Sequence, residues 1–145
     1  MMFKVEDVKK YLTASDELIS ALRNHIPTTY DEEENPLECL EFDFENERFA
    51  LIEVDQSDWD DEGKYQYREE TYQLVSYDTN KSSYPNDNSV INKYNIVVSI
   101  CVQRCGSYFT EYYYSYSDCK ISKTVIKHIP VKVIPAHDEV TFVEI

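Results

Sequence analysis

Pro27 separates two hydrophobic periods, and that break limits what the chain can fold into. Before it, Val8, Leu12, Ser15, Ile19, Leu22 and Ile26 recur at three- and four-residue steps, with Tyr11 and Leu18 widening the stripe. That spacing predicts a core-facing helical element over 1–26. Ser15 followed by Asp16 and Glu17 has the chemistry of an N-cap with acids in the first turn, so the element reads as a helix or a helix pair. Pro27 lacks the amide hydrogen a helix interior needs and ends it.

Beyond an acidic loop the period becomes two. Leu40, Phe42 and Phe44 alternate with Glu41, Asp43 and Glu45, the pattern of a half-buried strand. Asn46-Glu47 is expected to turn, and Phe49 to Asp55 to return as the second arm of a hairpin. Gln56 to Gly63 reads as an acidic connection. Tyr65 to Tyr77 reads as one long strand or as two broken at Arg68-Glu69-Glu70. Asp78 to Asn92 collects Asn, Ser, Pro, Asp and Lys and reads as a loop. Tyr94 to Gln103, Ser107 to Ser117, Lys120 to Val133 and Val140 to Ile145 read as further strands, with a turn at 104–107. The expectation is one α+β domain over 1–145. Its N-terminal helix or helix pair precedes a mostly antiparallel sheet of about six to seven strands in 37–145.

Charge is placed unevenly on this plan. Fifteen carboxylates lie between Asp31 and Glu62 with Arg48 as the only base, a local charge of −14 that equals the net charge of the whole chain. A field of one sign attracts cationic partners and repels phosphate, which argues against direct binding of DNA or RNA. Glu41, Asp43, Glu45 and Glu47 are expected on one strand face, spaced by roughly 7 Å like a phosphate backbone. With Asp55, Asp58, Trp59, Asp60, Asp61 and Glu62 they form the expected contact set for a basic protein surface. The blander reading is a solvated face that keeps the protein soluble.

Asp58-Trp59-Asp60-Asp61-Glu62-Gly63, with Glu69 following, resembles the EF-hand calcium loop, though Glu62 stands where Asp or Asn is usual and the flanks look like strands. Asp58, Asp60, Glu62 and Glu69 would be the ligands, with calcium as the only cofactor the sequence suggests. Tyr112, Tyr114 and Tyr116 lie in a tyrosine-rich strand that suits cross-strand packing, partner contact or a homodimer edge.

Signals for catalysis are missing. Cys39, Cys101, Cys105 and Cys119 form no C-x-x-C and read as buried reduced thiols. His25, His128 and His137 form no metal or triad spacing. With two glycines, no Gly-rich phosphate loop exists. Acids arrive before any apolar leader segment, and no apolar run reaches the ~18 residues of a membrane span, so a soluble cytoplasmic, non-enzymatic protein is expected.

The stretch from Arg104 to Tyr116, with Thr124 to Val133, loosely resembles C-terminal segments of small phage proteins. Small size and strong acidity also resemble anti-CRISPR and anti-restriction inhibitors. That resemblance implies a protein that covers the nucleic-acid surface of a nuclease. An immunity protein against a basic toxin nuclease and a calcium-binding assembly protein are the alternatives.

Overall fold

The computed structural model describes residues 3–26, 41–62, 65–105, 113–131 and 135–145, with the backbone alone for 61, 62, 113–115, 117 and 118. Two helices, α1 (Val5–Val8) and α2 (Asp16–His25), precede β1 (Glu41–Phe44), β2 (Glu47–Gln56), β3 (Asp60–Glu62), β4 (Tyr65–Tyr77), β5 (Val90–Cys105), β6 (Tyr113–Ile129) and β7 (His137–Glu144). The α+β expectation stands, with the strand content dominant. All strand pairs are antiparallel, in the order β1-β2-β4-β5-β6-β7. β5 occupies one edge of β4 along its length, so short β3 must pair on the edge β2 uses, in line with it. The sheet is therefore six strands across, and the acidic connection expected at 56–63 is partly strand.

Other boundaries also moved. Arg68-Glu69-Glu70 does not interrupt β4, because its neighbours pair through it. The separate strands expected at Ser107–Ser117 and Lys120–Val133 meet in one strand, β6, whose register against β5 shifts once between Ser99 and Cys101. The hairpin turns at Glu45-Asn46, where both residues take positive φ (48° and 64°), one residue earlier than expected. Two-residue turns with both φ positive match the twist of the flanking strands, and that geometry overrode glutamate's preference for negative φ.

α2 forms as its spacing predicts. Ser15 Oγ accepts the Leu18 amide at 3.1 Å, capping the helix. Leu18, Ile19 and Leu22 then turn inward and are buried. They meet Phe42, Phe49, Leu51, Tyr72 and Leu74 of the first strands and Ile96, Val98, Ile100 and Val102 of β5 in one core. Leu22 is fully buried, so Leu22→Ala would cost about 3 kcal/mol in transfer and cavity terms.

α1 goes to the other face of the sheet. Ile121 pairs Val98 on the α2 face, so three residues later Thr124 and its partner Phe142 point the opposite way. Phe3 meets Phe142 edge-on at 5.6 Å. The chain passes between the faces at the edge of β5, where β6 pairing begins only at Ile96. Leu12 fills the gap as a parallel bridge: its N–H donates to Lys93 O and its carbonyl accepts Asn95 N–H, both at 2.9 Å. β4 is buried without alternation from Glu70 to Tyr77, the pattern of a strand covered on both faces.

Candidate functional site

Strand order concentrates the charge at one side of the sheet. β1, β2 and β3 hold eight carboxylates against Arg48, whereas β4 to β7 hold six acids and six bases. Asp31 to Glu38, the first part of the acidic window, lie outside the described residues.

The four carboxylates expected in one row do not share a face. Glu41 pairs Ala50 and Asp43 pairs Arg48, which sets both acids on the α1 face beside that arginine. Arg48 Nη2 reaches Glu41 at 2.9 Å and Nη1 reaches Asp43 at 3.1 Å. Hydrogen bonding to Tyr77, then to Glu41 and Asp43, holds the Arg48 pKa above its ordinary value. Glu45 sits in the turn. Glu47, past the turn, pairs Phe44 on the α2 face and accepts the Tyr94 hydroxyl at 3.1 Å. The reversal of the chain at 45–46 breaks the alternation that a continuous strand would have kept.

Further along, the pairing of β2 shifts between Glu53 and Asp55. Asp55 lies opposite Thr71, on the face that also carries Glu69. Ser57 bonds the Glu69 backbone twice, each at 2.8 Å, and steers the chain from β2 into β3. Asp58 and Asp60 are exposed. Asp61 and Glu62 pair Gln66 and Tyr65 in the backbone. Of the expected calcium ligands, Asp58 and Asp60 are exposed and Glu69 lies in β4, while Gly63 and the Glu62 side chain lie outside the described residues. Among the described residues no three His, Cys, Asp or Glu side chains are grouped to hold a metal.

Trp59 was expected to offer a partner-binding anchor, and its ring is engaged within the protein. It packs half-buried against the core. The guanidinium carbons of Arg68 and Arg104 lie 4.4 Å and 4.0 Å from its ring centre. Arg68 also donates to Glu70 Oε2 through Nε at 2.9 Å and Nη2 at 2.6 Å, and Tyr72 donates its hydroxyl to Glu70 Oε1 at 2.7 Å. Glu70, 4% exposed, is thus a buried carboxylate with donors on both oxygens. The sequence signal was the i, i+2, i+4 spacing of Arg68, Glu70 and Tyr72, which falls on one strand face once 65–77 is a single strand.

The tyrosine contacts divide. Tyr116 is buried in the core and is not a surface contact. Tyr114 pairs Arg104 in the backbone, and Tyr112 lies outside the described residues. Cys101, Cys105 and Cys119 are reduced and half-buried rather than fully buried, and Cys39 lies outside the described residues. His25 stacks on Phe42 at 4.9 Å, while His128 and His137 meet Asp138 and Glu139 at the surface. No described helix is long and apolar enough to cross a membrane.

Two open clefts of about 580 and 610 Å³ flank the exposed Ile91 side chain. The larger lies at the tip of the β1–β2 hairpin and is lined by Asp43, Glu45, Glu47 and Asp78, with Arg48. Comparison of the chain with protein-family models, with curated proteins and with solved structures finds no match.

Proposed function

We propose that this protein is a non-enzymatic inhibitor that docks its acidic sheet edge on a Lys/Arg-rich surface of a nucleic-acid-binding protein. One observation carries the reading: eight strand carboxylates against Arg48 lie on β1 to β3, while the rest of the sheet is balanced. A one-sided field steers encounter with a basic partner and excludes phosphate from the same surface. The contact set consists of Glu45 and Glu47 at the hairpin tip and Asp55, Asp58, Asp60, Asp61 and Glu62 along β2 and β3. Glu41 and Asp43 contribute less, because Arg48 already offsets them. A nuclease of a host defence system and a toxin nuclease both present such a surface.

The test is affinity capture from bacterial lysate at low and at high salt, with the chain and with its Asp58→Lys/Asp60→Lys variant. Capture of basic nucleic-acid-binding proteins, released by salt and lost in the variant, supports the reading. An unchanged set of captured proteins in the folded variant sinks it.

A further inference from the structure

The smaller cleft, about 580 Å³, lies between α1 and the 85–93 segment on the α1 face of the sheet, and none of the carboxylates of β1 to β3 lines it. Its size is that of small-ligand sites. Tyr11, Leu12, Ile52 and Ile91 supply apolar lining, and Leu12 and Ile91 remain 44% and 63% exposed. Asp7, Lys10, Asp87 and Lys93 line the same cleft. Among the described residues no salt bridge joins any of these four to an opposite charge.

Both walls are fixed before any ligand arrives. Leu12 is clamped to β5 by its two backbone bonds. Asn86 Oδ1 accepts the amides of Asn88 and Ser89 at 2.9 and 3.0 Å, and the buried Ser89 Oγ accepts the Asn86 amide at 2.8 Å. A preformed wall spares a ligand the ordering cost that weakens binding to mobile loops.

Two cationic and two anionic groups around an apolar floor match a ligand with both charges and an apolar body. We propose that this cleft binds a short zwitterionic peptide with an apolar side chain. Its carboxylate meets Lys10 and Lys93, its ammonium meets Asp7 and Asp87, and its side chain covers Ile52 and Ile91. All four groups are exposed, so a purely anionic ligand would face the two aspartates and an uncharged one would leave the four charges without a partner in the ligand.

Amide spectra of the labelled protein titrated with the dipeptide Leu-Leu, its N-acetyl form and its C-terminal amide test this. The expected result is saturable shifts at Leu12, Ile91 and Lys93 with the free dipeptide, and about tenfold weaker binding of each blocked form. Lys93→Ala and Asp87→Asn should each lose about tenfold, with the remaining spectrum unmoved. No saturable shift, shifts centred elsewhere, or equal binding of free and blocked dipeptides overturns the proposal, and these readouts need only the unaltered chain.

Discussion

The Arg68 guanidinium carbon lies 4.4 Å from the centre of the Trp59 ring while its nitrogens hold Glu70. One side chain thus fixes both the 57–59 crossing and a buried carboxylate. Arg68→Ala should lower stability by about 3 kcal/mol, since it leaves Glu70 buried with its charge uncompensated. Arg68→Met with Glu70→Leu should cost clearly less. Urea unfolding followed by emission of Trp59, the only tryptophan, measures both. A loss under about 1 kcal/mol for Arg68→Ala would show that water reaches the pair.

Tyrosine protonation makes the fold sensitive to alkali. Burial, then the hydrogen bond to Glu70, pushes the Tyr72 hydroxyl far above its ordinary value, and burial also raises Tyr77 and Tyr94. A folded pKa above the unfolded one gives stability that is complete below the unfolded pKa of about 10 and is lost as pH rises beyond it. Tyrosinate absorbance should show Tyr72 ionising only with unfolding. Tyr72→Phe should flatten the alkaline decline of stability, and an unchanged slope would contradict the assignment.

Glu45 holds φ at 48° in a turn that favours Asn or Gly. Glu45→Asn should raise stability by about 0.5–1 kcal/mol, because the left-handed region costs a glutamate more than an asparagine. Thermal unfolding would register this as a higher Tm. A lower Tm would show that the Glu45 carboxylate makes a contact worth more than the strain.

Self-repulsion at the β1–β3 edge should make the protein more stable in salt. Screening shortens the reach of exposed charges to about 8 Å at physiological ionic strength. The midpoint of urea unfolding should therefore rise with sodium chloride, and Asp58→Asn/Asp60→Asn should rise less. Equal salt dependence in the two proteins would place the repulsion elsewhere.

Much of this architecture was readable because it depends on local period. The three- and four-residue steps before Pro27 gave α2 and its Ser15 cap, and strict alternation at Phe42 and Phe44 gave β1. The turn at Glu45-Asn46 was misplaced because glutamate carries no mark of a left-handed residue. The row of Glu41, Asp43, Glu45 and Glu47 failed with it, since a one-residue shift in the turn decides which face Glu47 occupies.

The sequence by itself determined the charge, the segregation of acids before Gly63 and the helix-then-sheet order, because composition and nearest-neighbour period are properties of the chain alone. Only the tertiary structure decided that Arg48 is shared by Glu41 and Asp43, that Trp59 is taken up by Arg68 and Arg104, and that Lys10 and Lys93 share a cleft with Asp87. Those relations join residues on different strands and connecting segments, and strand order and register, which bring them within reach, arise from pairing across the whole sheet.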